Sequence, residues 1–183
     1  MGEPGDRYRR RADAFAALID GTAAERWSSP SPCEGWSARD VVAHVVSYSA
    51  HVLREKLGVV EAPPVPQVDD PAAAAFRSVR AAVEGALDDP ETPPELVRYV
   101  DLAVSFDLPQ HGWDLAKATM QDPTMDPAEV EFLWRSLTKD ARVWAWQREN
   151  GWYAAPVEVP DDAPLQDRVL GLLGRDPHWA PPG

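Results

Sequence analysis

The sequence predicts an all-α protein, a bundle of four or five helices with a short C-terminal extension over residues 150–183. Three observations carry this expectation. Apolar residues recur at three- and four-residue spacing through long segments, which lays one apolar stripe along a helix. Helix starts are marked by Ser37, by Asp70-Pro71 and by Asp126-Pro127, where a polar side chain can accept from unpaired first-turn amides and proline fits the first helical position. The strand signal is confined to Val157-Glu-Val-Pro160. Helices joined by proline-marked loops bury such stripes most simply against one another.

The first helix is expected over residues 5–19, with Phe15, Leu18 and Ile19 on its apolar face and Gly21 near its end. Its basic run at 7–11, Arg-Tyr-Arg-Arg-Arg, reads as a solvated face. A loop of turn formers at 27–36 leads to the clearest start in the chain, where Ser37 caps and Asp40 stands at the capping-box position. From there Val41, Val42, Val45, Val46 and Leu53 leave few faces for water as far as residue 57, so this helix should be central. Residues 59–70 form a proline-rich, acidic linker, and Asp70-Pro71 then opens a helix reaching residue 87.

Residues 95–119 read mostly as helix, interrupted by Pro109. Proline has no amide hydrogen, so a helix that continues through it frees the Ser105 carbonyl. Asp126-Pro127 with Glu129 starts a helix that runs to residue 148, and the tail holds the extended stretch at 157–160 and a short helix at 165–173.

At 183 residues and 44% hydrophobic content the chain can bury one substantial core, and a single domain over 1–183 is expected. Its net charge of −12 argues against nucleic acid or an anionic membrane as partner, because both are held by clustered Lys and Arg. A lone cysteine, Cys33, cannot form an internal disulfide. The first residues lack the features of a signal peptide, and no run approaches the ~18 apolar residues of a membrane span. A cytoplasmic location is expected.

The chemistry lies in a split constellation. Asp107 and His111 stand four residues apart, so a helix sets them on one face with Cβ atoms roughly 5–6 Å apart. Together they can grip one metal ion. His44, on a separate and otherwise apolar helix, is the best-placed third donor. Two imidazoles and one carboxylate leave positions open for water or substrate, as in a catalytic rather than a structural site, and suit zinc, nickel and iron alike.

Plainer readings stand beside this one. A helix histidine can be satisfied by hydrogen bonds, and an aspartate near a bend can cap or stay solvated. Asp40 precedes His44 by four, but capping already explains it. Asp114, one turn past His111, is either a plain helix carboxylate or one that orients an imidazole. His51 and His178 read as surface or packing residues. Cys33 lies four residues before Ser37, outside the first helical turn where a thiol is activated, so no catalytic role is assigned to it. Trp134, Trp144 and Trp146 are assigned to packing, while Trp36 and Trp113 flank the site segments and are candidate pocket walls.

The segments Pro32-Cys-Glu-Gly-Trp-Ser-Ala-Arg-Asp-Val-Val-Ala-His44 and His111-Gly-Trp-Asp-Leu-Ala-Lys-Ala-Thr119 resemble the DinB/YfiT-like superfamily. Within it they are most similar to the actinobacterial branch that includes mycothiol-dependent maleylpyruvate isomerase. The tail Val159-Pro-Asp-Asp-Ala-Pro-Leu-Gln-Asp-Arg168 with Leu173-Gly-Arg-Asp-Pro177 resembles the C-terminal portion of a metal-binding subgroup there. The resemblance implies a four-helix bundle holding a divalent metal, zinc or nickel, through His44, Asp107 and His111. It also implies a mycothiol-type thiol as cosubstrate, for S-transfer to a small electrophile or its thiol-assisted isomerisation.

Two positions depart from the isomerase pattern: Asp107 is one methylene shorter than the glutamate expected there, and Pro109 stands between the ligands. Two other readings stay open. One is a hydrolase working through metal-bound water. The other is a non-catalytic metal-binding or dimerising bundle, with a homodimer as one form of it, in which His51 or Asp40 supplies a fourth donor.

Overall fold

A computed structural model describes residues 4–57 and 72–181. The expected linker at 59–70 and the helix start at Asp70-Pro71 lie outside the described residues. The chain folds as α1 (Pro4–Asp20), a 3-10 turn (Ala24–Arg26), α2 (Ala38–Leu57), α3 (Ala72–Asp88), α4 (Pro94–Leu102), α5 (Val104–Thr119), α6 (Pro127–Lys139), α7 (Ala141–Glu149) and α8 (Leu165–Leu172). The all-α expectation holds. No helix among the described residues is long and apolar enough to cross a membrane.

Four helices make the bundle: α5 packs on α1 and α2, and α3 closes the other side against the same two. On α1, Tyr8, Ala12, Phe15 and Ile19 repeat at helical spacing and are all buried. Phe15 meets Phe76 of α3 edge-on at 5.0 Å. Burying a side chain of this size contributes about 1.5–3 kcal/mol. Helix α4 lies against α1 and α5.

As its sequence implied, α2 exposes nothing between residues 41 and 50. Helix α5 is buried still more completely, at every position except Pro109 and Lys117. Its sequence conceals this, because Ser105, Asp107, Gln110, His111, Asp114 and Thr119 are polar yet buried. Buried polar groups need partners, and those partners build the site described below.

Two expected single helices are each divided. The 95–119 segment breaks at Ala103, whose φ of −107° and ψ of −74° separate α4 from α5. The segment from 127 breaks at Asp140, an extended residue whose carboxylate accepts from the Arg142 amide and so caps α7. The stretch at 157–160 forms no strand. It docks instead through the Val157 amide on the Gly171 carbonyl at 2.9 Å.

The basic run of α1 is a solvated face only in part: Arg10 is exposed, but Tyr8 and Arg11 are buried. Arg7 forms a two-pronged pair with Asp101 at 2.7 and 2.6 Å. Arg11 is 3% exposed and is held by Glu129 of α6 through Nε at 2.7 Å. Helix α5 continues through Pro109, and the Ser105 carbonyl it frees accepts from Arg11 Nη1 at 3.0 Å. Arg11 therefore supplies the hydrogen bond that Pro109 removes. On the far side of α5, Phe106 joins a second apolar cluster with Val130, Leu133, Leu137, Val169 and Leu173. That cluster seats α6 and α8 behind the site-bearing helix.

Candidate functional site

The structure brings together the three residues that the spacing singled out. Their nearest donor atoms all lie within 4.8 Å of one another. Asp107 Oδ2 stands 3.3 Å from His44 Nε2 and 3.6 Å from His111 Nε2. The shared one-turn spacing puts Asp107 and His111 on one face of α5, and the packing of α2 on α5 carries His44 to it. Asp107 and His111 are buried, whereas the His44 side chain is 36% exposed. The cluster therefore opens to solvent beside His44.

Each member is held by further residues. His111 Nδ1 is 2.9 Å from Asp114 Oδ2, which turns Nε2 toward Asp107. Asp114 is in turn gripped by Arg175 Nη2 at 2.9 Å, with Nε at 3.3 Å from its other oxygen. On the other flank the Gln110 amide donates to Asp107 Oδ1, leaving Oδ2 to face the imidazoles. Burial pushes the Asp107 carboxyl up, but His111, His44 and Gln110 together outweigh it and hold the group below its ordinary value. Burial also acts against Asp114, and there Arg175 and His111 win, keeping it well below the carboxylate range. Both carboxylates are thus available as anions.

Aromatic rings wall the cluster. The Trp36 ring lies 4.9 Å from that of His44 and 6.2 Å from that of His111, and Tyr48 stacks parallel on His44 at 6.1 Å. Burial raises the Tyr48 hydroxyl above its ordinary range, so it stays protonated. Trp113, the other proposed wall, is buried away from the cluster. It lines a cavity of about 240 Å³ with Phe15, Leu18, Pro109, Gly112 and Met125, on the face of α5 opposite His111. Trp144 packs as expected, against Phe106 at 5.5 Å, but Trp146 is 53% exposed.

Asp40 is engaged at the helix start, as its position suggested: its carboxylate accepts from the Ser37 amide at 2.8 Å while the Asp40 amide reaches Ser37 Oγ at 3.3 Å. His51 and His178 are exposed. Asp114 resolves in favour of the orienting role. Sequence reasoning missed Tyr48, Gln110 and Arg175. Tyr48 stands four residues past His44 and Gln110 three past Asp107, a helical spacing that already implied adjacency. Arg175 stood within the tail motif Leu173-Gly-Arg-Asp-Pro177, but nothing in that motif pointed to Asp114.

Cys33 also lies at this cluster, donating from Sγ to Asp114 Oδ2 at 3.2 Å. Burial first, and then the negative charge of Asp114, push its thiol up to about 12. It is a hydrogen-bond donor rather than a nucleophile. Iodoacetamide should accordingly leave Cys33 unmodified in the folded protein from pH 7 to 9 and alkylate it after unfolding in guanidinium. Rapid labelling of the native protein at pH 8 would contradict the assignment.

The family of the mycothiol maleylpyruvate isomerase N-terminal domain matches residues 8–149, a span that contains His44, Asp107, His111 and Asp114. The chain belongs to this family. Two relatives, from Mycobacterium tuberculosis strains CDC 1551 / Oshkosh and ATCC 25618 / H37Rv, are each 31% identical over 179 residues. The alignment covers 92% of this chain and 95% of each relative, and both carry the description uncharacterized protein. No solved structure matches. The family membership accords with the all-α bundle and with a mycothiol-linked role at the level of the family.

Proposed function

We propose that the protein binds a divalent metal, zinc or nickel, through His44, Asp107 and His111, and uses it with a mycothiol-type thiol to act on a small electrophile. The convergence of these three donors carries the reading. Bonds of about 2.0–2.2 Å at a tetrahedral angle set donor atoms about 3.3–3.6 Å apart, and the separations from Asp107 Oδ2 are 3.3 and 3.6 Å. A divalent ion held there supplies a Lewis acid that lowers the pKa of a coordinated thiol and polarises an electrophile.

The chain's own residues do the remainder. Asp114 fixes the His111 tautomer by accepting a hydrogen bond from Nδ1–H, as carboxylates behind metal-binding imidazoles do. Gln110 orients Asp107. Trp36 and Tyr48 flank His44, where the cluster meets solvent, and offer apolar surface to a small substrate. In S-transfer the sulfur–carbon bond forms as the carbon–leaving-group bond breaks, and the thiol proton passes to water. In isomerisation the thiol adds to the acceptor and is expelled again unchanged.

An open coordination position suits this chemistry better than a closed structural shell. Asp40, one proposed fourth donor, is committed to the helix cap, and His51, the other, is exposed. Among the described residues no glutamate joins the cluster to serve a hydrolytic water. The test is to load the protein with zinc or nickel and offer mycothiol with a panel of small electrophiles that includes maleylpyruvate. Thiol-dependent conversion of at least one acceptor, abolished by His111→Ala, is the expected result. Metal-loaded protein that turns over none of them would remove the thiol-transfer reading.

A further inference from the structure

We infer that the segment after residue 149, outside the span matched by the family, completes the metal site, with Arg175 acting as a positioning residue for His111 through Asp114. This rests on the metal-binding reading above. The juxtaposition is specific. Arg175 reaches 61 residues back along the chain to grip both oxygens of Asp114, whose Oδ2 is the atom 2.9 Å from His111 Nδ1. Asp114 is fully buried and the Arg175 side chain is 10% exposed. With only the His111 imidazole and the weak Cys33 thiol donor, both on Oδ2, this buried carboxylate would be poorly satisfied, and a two-pronged guanidinium meets its remaining acceptor capacity in fixed geometry.

The fold holds Arg175 in place by a defined device. Helix α8 ends in a Schellman motif, with the Gly174 amide on the Gly171 carbonyl at 3.0 Å and the Arg175 amide on the Leu170 carbonyl at 2.9 Å. Gly174 has φ of +78°, and a Cβ there would stand 2.7 Å from Ala154 Cβ. Glycine is thus required twice over, by conformation and by contact. The tail therefore stands behind His111, through Asp114. Arg175 Nη2 also lies 3.4 Å from Cys33 Sγ, tying in the loop that precedes α2.

Groups behind metal ligands typically change affinity by about 10–100-fold when removed. The experiment measures cobalt(II) binding to the full chain, by competition with a chromophoric chelator and by the visible ligand-field spectrum. The variants are Arg175→Met, Arg175→Lys and Asp114→Asn. Arg175→Met and Asp114→Asn are expected to weaken binding about 10–100-fold and to shift the spectrum. Arg175→Lys should recover part of the affinity. If Arg175→Met does not fold, the folded Asp114→Asn and Arg175→Lys carry the comparison, and wild-type affinity and spectrum in both would overturn the inference. So would a folded Arg175→Met that binds as wild type does. A wild-type protein that binds neither cobalt nor zinc would instead strike at the metal reading, and with it this inference, so the two failures are distinguishable.

Discussion

Replacing Arg11 by methionine is expected to lower the free energy of unfolding by about 3–5 kcal/mol. The side chain is buried inside the bundle, where it holds Glu129 and donates to both the carbonyl and the hydroxyl of Ser105. Methionine keeps much of the volume, so the loss is not chiefly one of packing. What remains is a partly buried carboxylate without its cation and a backbone carbonyl without any helical donor, because Pro109 has no amide hydrogen to offer it. The Glu129 side chain keeps 20% exposure, so water relieves part of its charge and the lower end of the range is expected. Equilibrium urea unfolding measures it. A loss below about 1 kcal/mol, the value of an ordinary surface ion pair, would show that Arg11 is not the group that compensates for Pro109.

The second large effect concerns the metal. A ligand that binds only the folded state stabilises it by about 2.7 kcal/mol at one hundred times its dissociation constant. Zinc at that excess should raise the unfolding free energy of the wild-type protein by this amount. His44→Ala and His111→Ala each remove one of three donors, and the same zinc concentration should then give no measurable stabilisation. The metal-free variants provide the control. His44 is partly exposed and its loss should leave the apoprotein near wild-type stability, whereas His111 is buried against Asp114 and its removal should destabilise. Equal zinc stabilisation of all three proteins would place any bound metal elsewhere.

Much of this arrangement was legible in the sequence because it is local. The capping box at Ser37 and Asp40, the start at Asp126-Pro127 and the one-turn spacing of Asp107 and His111 are read over four residues or fewer. The break at Ala103 was not legible, since Leu102-Ala103-Val104 contains no turn former and apolar spacing runs across it. The break at Asp140 did leave a signal, a side chain able to cap the helix that follows.

Long-range partners account for the other differences. Arg11 looked solvated because it sits in a run of like charges, and its partner Glu129 lies 118 residues away. Nothing near Asp114 announces Arg175. The burial of α5 was hidden for the same reason. Its polar residues suggest a wet face until the groups that satisfy them are brought up from α1, α2 and the tail.

The claim on which the functional account depends is that His44, Asp107 and His111 hold one metal ion. Elemental analysis of protein purified without an affinity tag, beside His44→Ala and His111→Ala, tests it most directly. About one equivalent of zinc or nickel is expected in the wild type, lost from both folded variants. No metal in the wild type, even after incubation with zinc or nickel, would contradict it and leave the cluster as a hydrogen-bonded structural network.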